Sequence, residues 1–154
     1  MNYGEIKTCD IANGEGVRVS LFVSGCTHHC KNCFNEVAWD FGYGKPFTEE
    51  TEEMLIKALE PDYVDGLSLL GGEPFEPENQ RALLPFLKKV RERFPKKNIW
   101  CYTGYTYEEL LEDPVRRPIL SYINVLVDGR FEQSLYSPKL EFRGSSNQRI
   151  LKLK

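Results

Sequence analysis

Four short apolar runs, each followed by a glycine-containing loop, constrain the fold more than any other feature of this chain. They span residues 17–23, 66–70, 98–102 and 123–127, and a weaker run at 149–153 hints at a terminal strand. Their length and their β-branched and aromatic residues predict β-strands. Because segments with helical spacing separate the four runs, we expect βαβ units, a mostly parallel sheet and right-handed crossovers. Since the strands are nearly continuously apolar, helices should cover both faces.

The helical segments carry their own start signals. Thr48 is predicted to cap the first helix, because two glutamates follow it in the first turn. Residues 78–94 show helical spacing, and Pro85 within them should mark either the beginning of that helix or a bend. Thr106 with Glu109 forms a capping box that opens a short third helix.

Length and composition indicate a single domain over residues 1–154. The hydrophobic fraction of 41% suffices for one core, and four or five strands are too few to close an eight-stranded barrel. An open or partial barrel is therefore expected. The formal net charge of -3 gives no bulk attraction to nucleic acid or anionic lipid. We find no membrane-spanning run and no signal peptide at the N-terminus, so we expect a cytoplasmic protein without nucleic-acid or membrane partners.

The loops that follow the four strands should meet at one edge of the sheet. They hold a cysteine cluster, the turn Gly71-Gly72-Glu73-Pro74, the pair Thr103-Gly104 and the pair Asp128-Gly129. In parallel α/β sheets the carboxyl ends of the strands form the ligand-binding edge. The sequence therefore predicts that these four loops build a single site.

The cysteine cluster leaves three chemical interpretations open. The chain has five cysteines, and Cys26, Cys30 and Cys33 form a C-x3-C-x2-C loop. An odd number of cysteines without an export signal argues against a disulfide framework. The loop could hold a structural zinc ion with His28 or His29, act as a redox dithiol, or bind an iron–sulfur cluster.

The spacing favours the iron–sulfur interpretation. Structural zinc commonly uses paired C-x2-C motifs, and a dithiol would leave Cys26 without a function. A four-iron cluster held by three thiolates would keep one iron open, as a catalytic metal centre requires. Cys9 or Cys101 could supply a fourth ligand, although we expect both to be small buried hydrophobic residues.

The cysteine loop, together with the Gly-Gly-Glu-Pro turn after the next strand, resembles the radical S-adenosylmethionine superfamily. Segments at 13–18, 22–26, 100–105, 124–129 and 143–149 narrow the resemblance to the activating proteins of anaerobic ribonucleoside-triphosphate reductases. The likeness covers nearly the whole chain. One departure is Asn32, which stands where many superfamily members carry an aromatic residue.

The resemblance implies a partial βα barrel of the radical S-adenosylmethionine type and a set of site residues. Cys26, Cys30 and Cys33 would bind a [4Fe-4S] cluster, whose fourth iron would be chelated by S-adenosylmethionine. The residues implied to contact S-adenosylmethionine are Asn32, Cys33, Phe34, Gly72, Glu73 and Asp128. Trp100 and Tyr102 are expected in the core and the site wall, and His28 and His29 at a solvated loop tip or on a partner-facing surface.

The resemblance also implies the reaction and the partners. Reductive cleavage of S-adenosylmethionine would give a 5′-deoxyadenosyl radical, which would remove hydrogen from a glycine of the reductase. The alternatives are radical chemistry of the same type on a small heterocycle, and a zinc-stabilised binding module without catalysis. A reduced donor such as a flavodoxin would supply the electron. Because a small open barrel shields a radical poorly, we expect the partner protein to complete the site, with residues 143–149 at its edge or docking surface.

Overall fold

The computed structural model describes residues 1–33 and 36–154, and in these residues it contains seven strands and three α-helices. The strands are β1 Asn2–Asp10, β2 Arg18–Val23, β3 Lys45–Pro46, β4 Gly66–Gly71, β5 Asn98–Tyr102, β6 Val125–Asp128 and β7 Arg149–Lys152. The helices are α1 Glu49–Leu59, α2 Pro77–Arg93 and α3 Tyr107–Leu111. Short 3-10 segments occur at Glu36–Trp39, Arg117–Tyr122 and Gln133–Leu135.

All seven strands belong to one open sheet with the order β3-β1-β2-β4-β5-β6-β7. The central strands β2, β4, β5 and β6 are parallel, whereas β1, β3 and β7 pair antiparallel at the two sides. The four predicted central strands and the weak terminal strand are confirmed, and so is the mixed α/β class. The sequence patterns missed β1, because its mostly polar, half-exposed residues show no hydrophobic period.

The predicted helix starts are largely confirmed. Thr48 and Thr51 exchange hydrogen bonds at the start of α1, and Thr106 and Glu109 form the capping box of α3. Helix α2 begins at Pro77, where the absent amide hydrogen costs nothing, and continues through Pro85. A start near residue 84 was therefore the wrong alternative.

The helices cover one face of the sheet, so the expectation that both faces are covered is wrong. Side chains from α1, α2 and α3 pack against alternate strand residues in the main hydrophobic core. The strand residues on this side are Val19, Leu21, Val23, Leu67, Leu69, Ile99, Cys101 and Leu126. The intervening positions, such as Phe22, Leu70, Tyr102 and Val127, line a cavity on the opposite face. The strand sequences look continuously apolar because both the core and this cavity accept apolar side chains.

A buried arginine ties β2 to β4 at the amino end of the sheet. Arg18 is fully buried, and its Nε donates to Ser68 Oγ at 2.6 Å while its Nη2 donates to the Leu67 carbonyl at 2.9 Å. The guanidinium also lies 5.5 Å from the centre of the Trp100 ring. Burial lowers the pKa of Arg18 to about 10. These contacts hold the strand that leads into the cysteine loop.

A buried carboxylate stands close to this arginine at the end of β1. Asp10 accepts hydrogen bonds from Ser20 Oγ at 2.6 Å, Asn13 Nδ2 at 2.7 Å and the Ala12 amide at 2.9 Å. Burial raises the pKa of Asp10, but these hydrogen bonds outweigh it and lower the pKa below its ordinary value of 3.8. The charged form is thus stabilised in the folded state.

Within the described part of the chain, no helix combines the length and apolar character required to cross a lipid bilayer.

Candidate functional site

The loops that follow β2, β4, β5 and β6 surround one cavity of about 490 Å³ on the open face of the sheet. The three clustered cysteines, Cys26, Cys30 and Cys33, all line it. Gly72, Thr103 and Gly129 from the other loops line it as well. This volume falls in the range of about 300–1,000 Å³ that small-molecule sites occupy. The structure therefore brings the loops together as the topology predicts.

Three residues near or within the cysteine loop have positive φ values, a backbone conformation that residues other than glycine rarely adopt. Gly25 has a φ of 101°, and a β-carbon there would lie 2.2 Å from the Phe41 ring. His29 and Asn32 have φ values of 48° and 57°, which place them in the left-handed region. Such non-glycine residues are uncommon outside turns and functional sites. Asn32 lies in a turn in which the Cys33 amide donates to the Cys30 carbonyl at 3.1 Å.

The arrangement of the thiols fits a cluster better than a single ion. Among the described residues, no group of three or more His, Cys, Asp or Glu side chains is gathered closely enough to hold one metal ion. In a four-iron cluster each thiolate binds its own iron, so the sulfur atoms are more widely spaced than ligands around one ion. The three thiols line one cavity, so each could bind a separate iron of such a cluster.

Burial favours the protonated form of two of these thiols, Cys26 and Cys30, in the metal-free protein. It raises the pKa of Cys26 to about 12 and also raises the pKa of Cys30. Metal ligation requires the thiolate, so binding of a cationic cluster must displace these protons. Loading should therefore release protons.

The two separate cysteines lie away from this cavity. Cys101 is fully buried in the helix-facing core, where burial raises its pKa well above the usual value. Its predicted burial is confirmed. Cys9 lies exposed on β1, a strand whose residues are mostly exposed or half-exposed, so the expectation that it is buried is wrong.

The carboxylate of Glu73 joins three of the site loops. Glu73 is fully buried and accepts hydrogen bonds from His28 Nε2 at 2.7 Å, the Gly104 amide at 2.8 Å and the Phe75 amide at 3.0 Å. Thr103 Oγ1 lies 2.8 Å from the same carboxylate. Four donors thus already occupy the side chain that the resemblance assigns to the cofactor.

His28 is the link from the cysteine loop to Glu73. Its side chain is only 5% exposed, so the predicted solvated position is wrong. The imidazole packs edge-on against Tyr105 at 4.4 Å between ring centres. A β-carbon at Gly104 would lie 2.5 Å from the imidazole, so this packing requires the glycine. His29, by contrast, is exposed and stacks on Trp39 at 4.5 Å.

A second buried carboxylate, Glu76, was missed in the sequence. It accepts hydrogen bonds from Thr27 Oγ1 at 3.1 Å and from the Tyr105 hydroxyl at 2.9 Å. Burial, together with this hydrogen bond, raises the pKa of Tyr105 to about 12. The sequence offered one signal for this residue: Glu76 directly precedes Pro77, the first residue of α2, in the loop that follows the apolar run of β4.

Gly71 and Gly72 allow the β4 loop to lie directly against the cysteine loop. Gly71 has a φ of 112°, and a β-carbon there would lie 2.5 Å from the Val23 carbonyl oxygen. A β-carbon on Gly72 would lie 2.5 Å from the Gly25 carbonyl oxygen. The backbone after β4 therefore packs directly against β2 and the start of the cysteine loop.

The other residues assigned by resemblance have different surroundings. Asp128 is buried, and its carboxylate accepts from the Tyr107 amide at 2.8 Å and from Arg149 Nε at 3.0 Å. Asn32 is exposed in the cysteine loop, and Phe34 lies outside the described residues. Tyr102 lines the cavity wall, as the sequence predicts.

The segment before β7 forms a wall of the cavity. Gln148 Oε1 accepts from the amides of Gly144 and Ser145 at 2.9 and 3.1 Å, and its Nε2 donates to the Gly129 carbonyl at 2.9 Å. The lining residues from this wall are Phe131, Tyr136, Ser137, Pro138, Leu140, Phe142, Arg143, Gly144 and Gln148. The expected place of residues 143–149 at the site edge agrees with this geometry.

Comparison with known proteins identifies the class of this site. A family model described as a 4Fe-4S single cluster domain matches residues 12–151. The match supports an iron–sulfur cluster over zinc and over a simple dithiol.

Curated relatives are similar over almost the whole chain, and all three cited here carry one name, anaerobic ribonucleoside-triphosphate reductase-activating protein. The protein of Pasteurella multocida (strain Pm70) is 48% identical over 152 residues, covering 97% of this chain and 96% of the relative. The protein of Escherichia coli (strain K12) is 43% identical, covering 96% of each chain. That of enterobacteria phage T4 is 41% identical, covering 97% of this chain and 93% of the relative.

Proposed function

Since the chain belongs to the family of anaerobic ribonucleoside-triphosphate reductase-activating proteins, we propose that it activates such a reductase by generating a glycyl radical on it. The observation that carries the proposal is the placement of Cys26, Cys30 and Cys33 around one cavity at the carboxyl edge of the parallel strands. The open sheet with helices on one face supports a partial barrel of the radical S-adenosylmethionine type.

We assign Cys26, Cys30 and Cys33 as the ligands of a [4Fe-4S] cluster and the rest of the cavity as the site of S-adenosylmethionine. Such a cluster, once reduced, would supply the electron that cleaves S-adenosylmethionine to methionine and a 5′-deoxyadenosyl radical, which would take a hydrogen atom from a glycine of the reductase. The chain itself holds the ligands in place and keeps water away from the reacting atoms.

The site residues divide into two groups. Asn32, Cys33 and Gly72 are proposed to contact S-adenosylmethionine directly, and Phe34 remains part of that prediction. Glu73 is proposed to support these contacts indirectly, because its carboxylate accepts hydrogen bonds from His28 and the Gly104 amide and so fixes the loops that carry them. A direct role for Asp128 also remains a prediction, although Tyr107 and Arg149 bind its carboxylate.

The partner protein is proposed to close the mouth of the cavity. Leu135 and Tyr136 are 39% and 43% exposed, and Tyr136 also lines the cavity. Apolar side chains at the rim of a site favour coverage by another protein. A reduced electron donor of the flavodoxin class and a cytoplasmic location complete the proposal.

Anaerobic reconstitution tests the cluster and its ligands. We expect about four irons with matching sulfide per chain, and loss of the cluster in Cys26→Ala, Cys30→Ala and Cys33→Ala. Cys9→Ala is the matched control, because Cys9 is exposed away from the cavity, and it should keep the full iron content. One zinc per chain without visible absorption, or loss of iron only in the control, would contradict the assignment.

Electron spin resonance tests the reaction. Addition of S-adenosylmethionine should change the signal of the reduced cluster, and addition of the reductase should then give a glycyl radical signal. Turnover of a small molecule without the reductase, and no radical on it, would refute the proposed activity.

A further inference from the structure

Asn79, in the first turn of α2, joins two of the loops that build the candidate site. Its side chain is fully buried. Its Nδ2 donates to the Ser24 carbonyl and to the Glu73 carbonyl, each at 2.9 Å. Ser24 stands two residues before Cys26, and Glu73 belongs to the turn that follows β4. One amide group thus connects the start of the cysteine loop to the next loop of the site.

The donation to Ser24 completes a run of paired carbonyls at this junction. The carbonyls on either side of Ser24 accept from the backbone amides of Gly72 and Glu73, at 2.8 and 2.7 Å. The Ser24 carbonyl between them has Asn79 as its donor. A buried carbonyl that lacks a donor costs free energy. Asn79 therefore takes the place of a backbone donor between two main-chain hydrogen bonds.

The nitrogen of Asn79 is the end of the amide that the fold uses. Its Oδ1 is buried and has no hydrogen-bond partner among the described residues. An apolar side chain of similar size would avoid the cost of that unpaired acceptor. The neighbouring Gln80 is also buried, but it donates to the Val115 carbonyl and accepts from the Ile119 amide at 3.4 Å. The amide at position 79 is thus explained by its two donations to the site loops.

The start of α2 also contacts the cysteine loop on the other side of Cys26. Glu76 directly precedes the helix, is only 3% exposed and accepts from Thr27 Oγ1 at 3.1 Å. Asn79 therefore binds the chain before Cys26, and Glu76 binds it after. The buried cysteine lies between these two fixed points.

We propose that Asn79 is a positioning residue for the cluster site, an inference that rests on the proposed function. Asn79 does not line the cavity, so it acts through the backbone that it holds. It fixes Cys26 relative to the turn after β4, which carries Gly72. The cluster ligand and the proposed S-adenosylmethionine contact lie on different loops, so binding depends on the register between them. Groups that orient metal ligands in this way commonly decide how well a site works.

Hydrogen exchange in the cluster-free protein measures the local effect. Asn79→Leu removes both donations but keeps a side chain of similar size. Gln80→Leu is the matched control, because it removes a buried amide from the same turn whose partners lie outside the site loops. In Asn79→Leu, the Gly72 and Glu73 amides should exchange about 10-fold faster relative to the distant Asn124 amide. In Gln80→Leu this ratio should stay unchanged.

Anaerobic titration of the cluster-loaded proteins measures the consequence for the site. Asn79→Leu should bind S-adenosylmethionine about 10-fold more weakly than the wild type, with a smaller change in the spin-resonance signal of the reduced cluster. Gln80→Leu should match the wild type in both, even if its midpoint of urea unfolding falls. Asn79→Ala removes the same donors without any risk of overpacking and should behave like Asn79→Leu. Loss of iron confined to the two Asn79 variants would also support the role, since Cys26 is the ligand held nearby.

Each outcome decides the proposal. A uniform rise in exchange across the protein, as in Gln80→Leu, would show that Asn79 only stabilises the fold. Faster exchange of the loop amides with wild-type affinity and iron content would show that the site does not depend on this register. Either result overturns the positioning role while leaving the proposed function intact. If the loaded wild-type protein binds no S-adenosylmethionine, the proposed function fails, and the positioning role fails with it.

Discussion

Replacement of Glu73 by glutamine should destabilise the fold more than any exposed Glu-to-Gln change. The substitution keeps the size of the side chain but removes the negative charge and one of the two acceptor oxygens. In the wild-type protein, Oε1 accepts hydrogen bonds from His28 Nε2 and the Gly104 amide, while Oε2 accepts one from the Phe75 amide. Thr103 lies within hydrogen-bond distance of both oxygens.

The magnitude follows from this set of donors. The glutamine oxygen fits best at the Oε1 position, which leaves its NH2 group facing the Phe75 amide. One buried hydrogen bond to a charged acceptor is then lost, at a cost of about 1.5–3 kcal/mol. The remaining bonds fall from charge-assisted to neutral strength. We therefore expect the free energy of unfolding to drop by about 2–4 kcal/mol.

Urea unfolding of the cluster-free protein measures this difference. Glu92→Gln is the matched control, since Glu92 is exposed near the end of α2, and it should change the stability by less than about 0.5 kcal/mol. If Glu73→Gln is as stable as the control, the carboxylate does not hold the three loops together, and the reasoning about His28 fails with it.

Three further changes follow from the same structure. Arg149→Gln leaves buried Asp128 without its cation, and because the arginine is half exposed we expect a loss of about 1–2 kcal/mol in urea unfolding; an unchanged midpoint would contradict this. Gly25→Ala drives a β-carbon into Phe41 at a φ of 101°, so stability should fall by about 1–3 kcal/mol, and iron bound per chain should fall with it. Asp10→Asn removes a carboxylate whose lowered pKa stabilises the fold above pH 3.8 and ceases to do so as the pH falls through its folded value. The variant should therefore lose less stability than the wild type between about pH 5 and about pH 2, and parallel acid profiles would refute this assignment.

The sequence predicted those parts of the fold that depend on local signals. Glycines after apolar runs marked the ends of the central strands, and Thr106 with Glu109 marked the start of α3. By contrast, β1 was not predicted, because this strand forms by pairing with β2 and its own residues show no hydrophobic period. The sequence also did not predict that one face of the sheet lacks helices, since an apolar residue such as Leu70 suits a cavity wall as well as a helix interface.

The site was predictable in its location and not in its internal contacts. Parallel neighbouring strands bring their following loops to one edge of the sheet. The sequence was therefore sufficient to predict that Cys26, Cys30 and Cys33 lie near Gly72. The hydrogen bond between His28 and Glu73 spans 45 positions in the chain, and no local pattern specifies such a pair. Two adjacent histidines between two cysteines are equally compatible with a surface loop, which explains the wrong expectation for His28.

The one-sided packing of the sheet assigns different tasks to alternate positions along each central strand. In β2, residues 19, 21 and 23 pack against the helices in the hydrophobic core, while Phe22 lines the cavity. Randomising these odd positions should yield poorly folded chains, whereas varying Phe22 should yield folded chains with altered ligand preference. Neighbouring positions of a single strand would then separate residues that stabilise the fold from a residue that shapes the cavity.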